Sequence, residues 1–426
     1  MSTKLVIVES PAKAKTINRF LGRDYTVRAS MGHVRDLPAK AFGVDIEHGF
    51  KPQYTAIPGR VKVLAELKAF AKTATDIYLA PDPDREGEAI AWHLKAALTD
   101  KSVKATFHRI TYHEITESAI HRAFDQAHEI DQHMVDSQQA RRVLDRIVGY
   151  RVSPLLWRRI AGASSAGRVQ SAALRLVCER EKAILAFKPE EFWLVGASVA
   201  KQVDPRDPFI VRLSRIDRQK AEIRSAEEAG AVRRELEGRA MRVASVATNT
   251  VTKRAPPPFI TSTLQQAGSR ACGFMPTRTM RIAQTLYEGV DLGSGPVGLI
   301  TYMRTDSFSI AREAQGACLQ YIGERYGKEY VPEKPNFFRS KSSAQEAHEA
   351  VRPTDVLRTP DSMANHLKPD ELKLYRIIWE RFVASQMAPA RLAQTQVEVE
   401  AVPPPAGGRA FMFRASSSNV VFPGYM

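Results

Sequence analysis

The sequence is poor in cysteine. Cys178, Cys272 and Cys318 stand far apart with no CxxC spacing. That excludes a disulfide framework and a cysteine zinc site in this chain, and it suits a reducing cytoplasm. No GxxxxGK[ST] stretch occurs, so nothing points to ATP use. No apolar run approaches the roughly 18 residues of a membrane span. The first such run is broken by Glu9, so neither a signal peptide nor a membrane partner is expected. Acid is also short. There are 62 Lys+Arg against 47 Asp+Glu, a net charge of +15 and a pI near 9.7. The excess favours a polyanionic partner, although charge alone does not separate nucleic acid from a membrane surface. At 426 residues the chain exceeds one core, and roughly three or more domains of about 150 residues are expected.

Where acid does occur, it is concentrated. Asp82-Pro83-Asp84-Arg85-Glu86-Gly87-Glu88 places four carboxylates at alternate positions. The stretch follows Ile77-Tyr78-Leu79-Ala80, which reads as a buried strand. It precedes Ala89-Ile90-Ala91-Trp92-His93-Leu94, which has helical spacing. The acids therefore fall at the carboxyl end of a strand, where open α/β sheets place ligands. Carboxylates held this close raise one another's pKa unless a cation offsets them. Mg²⁺, which takes one or two carboxylates plus waters and phosphate oxygens, fits such a loop. A solvated acidic turn at a helix N-terminus has the same composition.

A second strand end favours the cation. Leu5-Val6-Ile7-Val8 leads into Glu9, and Ser10-Pro11 is a helix start. In a parallel sheet both strand ends lie on one edge. Lys13, one turn into the helix, reaches the same place.

Val8-Glu9-Ser10-Pro11-Ala12-Lys13-Ala14-Lys15-Thr16 together with Asp82-x-Asp84-x-Glu86-Gly87-Glu88 resembles the TOPRIM domain of bacterial type IA DNA topoisomerases. Tyr302-Met303-Arg304-Thr305-Asp306-Ser307 resembles the nucleophile motif of that family. The stretches at Gly32–Pro38, Gln139–Arg146, Ser165–Ser171 and Ala347–Pro353 resemble others, in family order. The match spans residues 4 to about 355, and within the family it is nearest the topoisomerase I branch. The opening motif of the topoisomerase III branch differs from Ser10-Pro11-Ala12-Lys13.

The fold class expected is multidomain α/β plus α plus β. Strand and helix alternate over residues 1–130: strands at 4–9, 76–80 and 106–110, and helices at 11–21, 62–72 and 88–98. This is the TOPRIM domain. Residues 131–191 read as a basic helical domain, with nine arginines against four acids between Asp136 and Glu181. Strands are expected at 193–199, 208–213 and 241–246, then a stiff Ala255–Phe259 linker. A helical block at 257–390 carries Tyr302, and β structure resumes at Thr395–Glu400. A helical block between β segments reads as an insertion. The β-rich domain is thus 192–256 with 391–426, and the resemblance makes it an arch around a central hole.

By itself, a tyrosine in the apolar run Leu299–Met303 is a packing residue. The resemblance makes Tyr302 the nucleophile, forming a 5′-phosphotyrosine and expelling a 3′-hydroxyl. Arg304 and Lys13 are expected to lower its pKa and to stabilise the anionic transition state. Glu9 is expected to protonate the leaving oxygen, and His348 to contact a phosphate. The segment Arg304–Ser307 is expected to supply a helix cap beside the tyrosine. Glu9, Asp82, Asp84 and Glu86 are the metal candidates, with Mg²⁺ assisting resealing and with no ATP and no zinc. The DNA candidates are His33, Arg141, Arg142, Val143, Arg146, Arg151, Arg158, the loop Ser165-Ala166-Gly167-Arg168-Val169-Gln170, and Arg304. The small residues of Gly162-Ala163-Ser164-Ser165-Ala166-Gly167 let backbone N–H groups approach a phosphate, and the helix beginning near Gly167 adds its positive end.

The resemblance implies relaxation of negatively supercoiled DNA by a monomer, in the cytoplasm and on the nucleoid. A topoisomerase III, primase or nuclease, or a DNA-binding fragment without activity, are the alternatives. The chain ends soon after β structure resumes, and relatives are expected to continue. An incomplete chain is therefore expected, with Ile147, Val148, Leu155, Leu156 and Trp157 partly exposed.

Overall fold

The computed structural model describes residues 3–162, 165–204, 206–340, 348–402 and 408–426. They fall into two compact units, Met1–Leu176 with Pro256–Gln386, and Val177–Ala255 with Met387–Met426. The first unit holds the TOPRIM segment, residues 131–176 of the basic helical segment and nearly all of the tyrosine-bearing segment, while residues 177–191 belong to the second.

In the first unit β1 (Thr3–Val8), β2 (Tyr25–Ala29), β7 (Ala74–Leu79) and β8 (Thr106–Arg109) form a parallel sheet of order β2-β1-β7-β8. Short strands β3 (Arg35–Asp36) to β6 (Thr55–Ala56), with β4 (Val44–Asp45) and β5 (Lys51–Pro52) between, lie in the β2–β7 connection. Helices α1 (Pro11–Phe20), α2 (Val61–Thr73), α3 (Arg85–Leu98) and α4 (Glu117–Asp125) accompany the sheet. Leu5, Ile7, Ile77 and Leu79 pack with Leu67 of α2 and with Ile90, Leu94 and Leu98 of α3. Each such side chain contributes about 1.5–3 kcal/mol relative to exposure. Because β1 and β7 run parallel, Glu9 and the Asp82 loop emerge at one sheet edge.

Local chemistry fixes where the helices start. Ser10 Oγ accepts from Lys13 N at 3.2 Å with Pro11 in the first turn. Asp84 Oδ1 accepts from Gly87 N at 2.9 Å, and Glu86 and Glu88 place negative charge in the first turn of α3, where the helix dipole favours it. Gly87 is required by close approach, since a Cβ there would lie 2.0 Å from Asp82 O.

The long helix α5 (Gln132–Arg159) follows, capped by Asp131, then α6 (Arg168–Leu185), which crosses the division between the units. On α5, Leu155 is 57% and Trp157 59% exposed, while Ile147, Val148 and Leu156 are half-buried. That exposure was expected of this face.

The second unit holds β9 (Gly196–Val199), β10 (Phe209–Ile216), β11 (Gln219–Lys220), α7 (Ala226–Leu236), β12 (Met241–Lys253), β15 (Ala390–Ala401) and β16 (Phe411–Phe422). Its antiparallel sheet runs β11-β10-β16-β15-β12, with β9 against β10. The expected strand at 193–199 is shorter, because Trp193 N bonds Ile223 O outside the sheet. The helical insertion in the first unit comprises α8 (Thr261–Cys272), α9 (Pro276–Glu288), α10 (Arg312–Arg325) and α11 (Pro369–Gln386), with hairpin β13 (Val290–Asp291) and β14 (Pro296–Val297) after α9. Among the described residues no helix is long and apolar enough to cross a membrane.

Candidate active site

The segment bearing Tyr302 is neither strand nor helix; it is clamped. Tyr302 N donates to His113 O at 2.7 Å, Thr301 N to Arg352 O at 2.9 Å, and Thr301 Oγ1 to Ala350 O at 2.7 Å. These bonds fix the tyrosine between the TOPRIM edge and the Ala350–Arg352 segment. The expected helix cap at Arg304–Ser307 is absent: Thr305 N is bound by Thr261 Oγ1 at 2.9 Å, and α10 begins only at Arg312.

Tyr302 is 2% exposed. Its hydroxyl donates to Asp84 Oδ2 at 2.7 Å, so Asp84 binds the tyrosine with one oxygen and caps α3 with the other. Burial, with the Asp82 and Asp84 carboxylates adding to it, pushes the phenol well above its ordinary value; Arg304 opposes this and is outweighed. The expectation of a lowered phenol pKa is therefore reversed here, because burial and the two carboxylates together outweigh Arg304.

Lys13 is completely buried and bonds both Glu9 Oε1 and Asp82 Oδ1. Its ammonium also lies 4.9 Å above the Tyr287 ring. One cation between two carboxylates leaves negative charge in excess. Burial, reinforced by Asp82 and opposed by Lys13, pushes Glu9 up to about 8, and Lys13 is held charged by Asp82 and Glu9 despite burial. Glu9 Oε2 is buried without a hydrogen-bond partner. Lys13 thus acts as a counter-ion beneath the site rather than on its surface.

Glu9, Asp82, Asp84, Glu86, His33 and Arg304 line one cavity of about 710 Å³, which Met280, Arg281, Gln284 and Thr285 of α9 close from the other side. A second, of about 590 Å³, is lined by Asp84, Glu86, Arg141, Thr261, Arg304 and His348, among others. Arg304 is exposed and borders both. His348 is buried, and its Nε2 donates to Pro83 O at 2.9 Å. Ala347, beside it, lies outside the described residues.

Among the described residues no three His, Cys, Asp or Glu side chains converge to hold a metal ion. The reasons are local. Lys13 occupies the space between Glu9 and Asp82, Asp84 is engaged by Tyr302, and Glu86 turns to His33 at 3.4 Å and Gln138 at 3.1 Å. The donors still suit Mg²⁺, which needs only one or two carboxylates from a protein. Asp82, Asp84 and Glu86 line one cavity with Glu9, whose Oε2 has no hydrogen-bond partner.

Residues 129–426 match the family model described as DNA topoisomerase, and residues 4–115 match the Toprim domain. The chain belongs to the bacterial type IA DNA topoisomerase family. The solved structure of full-length topoisomerase I from Thermotoga maritima is similar, with 39% identity and a TM-score of 0.83. The match covers 99% of this chain and 66% of that one.

The basic strip of this topoisomerase chain is partly spent on internal structure. Arg142 forks onto Asp36 at 2.9 and 2.7 Å. Arg146 is buried and donates to Ala41 O at 3.3 Å and to Tyr150 Oη at 2.8 Å. Arg168 pairs with Asp145 at 3.1 Å, and Val143 packs with Leu37 and Val44. Ala166 N donates to Ser153 Oγ and Gly167 N to Ser171 Oγ, while Gln170 donates to Ser165 O. Two of the loop amides expected to meet a phosphate, those of Ala166 and Gly167, therefore already have acceptors; Ala163 and Ser164 lie outside the described residues. Arg151, Arg158 and Val169 are exposed, and Arg141 borders the second cavity.

Sequence reasoning missed Gln284, Arg281, Tyr287 and His113. Met280, Gln284, Tyr287 and Glu288 recur at helical spacing, which marked a face of α9 but not what it faces.

Proposed function

We propose that this chain carries the cleavage and rejoining centre of an ATP-independent type IA topoisomerase acting on single-stranded regions of negatively supercoiled DNA. Tyr302 Oη attacks a backbone phosphorus, forming the Tyr302–O–P bond as the bond to the 3′ oxygen breaks. The phenolic proton leaves along the hydrogen bond to Asp84 Oδ2. The Glu9 carboxyl, protonated near neutrality, delivers a proton to the departing 3′ oxygen and recovers it on rejoining. Arg304 stabilises the charge on the non-bridging oxygens. One phosphoester replaces another, so torsion in the DNA supplies the net drive. Asp82, Asp84 and Glu86 would hold Mg²⁺, whose charge would favour positioning of the phosphate and 3′ end for rejoining.

The observation that carries this reading is the Tyr302–Asp84 hydrogen bond beside Glu9 and Arg304. A primase or nuclease would use the acids without the tyrosine, so the bond favours the topoisomerase. The test is a single-stranded oligonucleotide labelled at its 3′ end, quenched with denaturant. Label should follow the protein, a 5′ label should not, and Tyr302→Phe should abolish transfer. Label still trapped by Tyr302→Phe would sink the assignment. The chain spans 66% of the length of the Thermotoga protein, and plasmid relaxation is a measurement separate from label trapping.

A further inference from the structure

Arg109 takes no part in the chemistry above, yet it is the most fully engaged side chain in the first unit. It lies at the end of β8 and is 0% exposed. Its Nε donates to Glu88 Oε2 at 2.8 Å. Nη1 donates to Pro81 O at 2.9 Å, Ile110 O at 2.7 Å and Leu79 O at 3.2 Å, and Nη2 donates to Asp82 O at 2.8 Å. Glu88, 2% exposed, uses its other oxygen to accept from Asp131 N at 2.8 Å, at the start of α5. Three of the carbonyls it holds belong to the last residue of β7 and the first turn of the acidic loop. Leu79 O also accepts from Ile110 N at 3.1 Å, so Pro81 O and Asp82 O are the acceptors that depend on the guanidinium, and leaving such carbonyls without a donor is costly.

We infer that Arg109 is a positioning residue for the cation: its guanidinium sets the backbone path from Leu79 to Asp82, and so the direction in which the Asp82 and Asp84 carboxylates enter the cavity. The geometry is specific to a planar fork. A lysine ammonium would keep the charge and the partner Glu88, but it cannot span Pro81 O and Asp82 O while also meeting Glu88. The opposite side of the same carbonyl is closed by Gly87, where a Cβ would meet Asp82 O at 2.0 Å. The loop is therefore held from two sides, by donors on one and by the absence of a side chain on the other. This rests on the proposed use of Asp82 and Asp84 as metal ligands, and groups that orient such ligands carry much of a site's affinity.

The test is calorimetric titration of the DNA-free full chain with Mg²⁺, at a temperature well below unfolding. Arg109→Lys should weaken Mg²⁺ binding about tenfold, while single-strand affinity in EDTA changes less than about twofold, since the altered group touches no exposed surface. Native Mg²⁺ affinity in a folded Arg109→Lys protein, whatever its melting temperature, would overturn the inference and leave the metal reading standing. Should Arg109→Lys fail to fold, Gly87→Ala displaces the same carbonyl from the other side, and native affinity there overturns it equally. If Asp82→Ala/Asp84→Ala binds Mg²⁺ as the native chain does, the metal reading fails and this inference fails with it.

Discussion

The unit that carries Tyr302 buries charge, whereas the unit built on β10, β12, β15 and β16 keeps its charge outside. Lys13, Glu88, Arg109, Arg146 and Arg352 are all under 9% exposed, and all lie in the first unit. Every histidine of the sequence lies there too. The second unit has a core of Val211, Ile223, Val232, Val399, Phe411 and Phe413, and among the described residues it buries no polar side chain to that degree. Its ion pairs, among them Arg215–Glu398–Arg414, Arg409–Glu235 and Arg242–Glu400, sit on the surface. Buried charge must be paired to be tolerated. The first unit accepts that cost where chemistry is to be done; the second is a scaffold of strands. Three measurements sharpen or break the contrast.

The largest effect is expected at Arg352. It is 3% exposed and bonds Glu114 at 3.0 Å and Glu349 at 2.8 Å. Arg352→Met leaves the half-buried Glu114 and Glu349 carboxylates without their shared cation, and removing one partner of a buried pair costs about 3–5 kcal/mol. Denaturant melts of the full chain should show that loss in the first unit's transition. Trp193, the second unit's one tryptophan, reports whether the other transition stays in place. A loss below about 1 kcal/mol, the range of exposed pairs, would mean that the burial of Arg352 is not energetically distinctive.

Acid should separate the units next. Burial holds His93 down to about 3 and His113 down to about 4, both neutral in the fold. An unfolded histidine takes a proton below about 6.5. Between these values the unfolded chain binds more protons, so stability falls as pH drops, by at most about 1.4 kcal/mol per pH unit for each histidine. Glu9 works the other way: raised to about 8, it favours the fold as pH falls from 8 toward 4.5. His113→Gln should therefore flatten the acid slope between pH 6.5 and 4 in the first unit and leave the second unit's slope alone. An unchanged slope in the first unit would remove His113 from the account.

The alternation of strand and helix over residues 1–130 was legible because short continuous apolar runs alternate with helical spacing there, and β1, α1, α2, β7, α3 and β8 fall within a few residues of expectation, while β2 and α4 were not anticipated. The placement of Glu9 and Asp82 at one edge followed from parallel pairing alone. What was not legible depends on packing between distant segments. The use of Arg142 by Asp36 involves residues 106 apart. The bond from Tyr302 to Asp84 spans 218 positions, and it reverses the direction expected for the phenol. A charge run names a basic face, but which cations turn inward depends on carbonyls and acids supplied by β3 and its neighbours. Arg141 and Arg146 test that distinction. Arg141→Ala should reduce the salt slope of single-strand binding by about one, and Arg146→Ala, already committed to Ala41 O and Tyr150, by less. Equal reductions would return Arg146 to the groove.

The smallest effect is expected at Glu398, in the second unit. Its Oε1 accepts from Arg215 at 2.6 Å and Arg414 at 3.1 Å, and Ser245 Oγ donates to Oε2 at 3.3 Å. The bond from Arg414 holds its carboxyl below the usual range, so the pair favours the fold above the unfolded pKa and loses that favour as pH falls. By count of contacts it is as well served as the partners of Arg352. Water reaches it, however, and screens both the attraction that Glu398→Gln removes and the repulsion it leaves between Arg215 and Arg414. The glutamine also keeps acceptor oxygen for one arginine. The Trp193-reported transition of Glu398→Gln should therefore stay within the scatter of repeated melts, and added salt should not widen the difference from the native chain. A loss comparable to that of Arg352→Met would show that the three-charge cluster behaves as a buried network, and the contrast between the two units would then lie in their histidines alone.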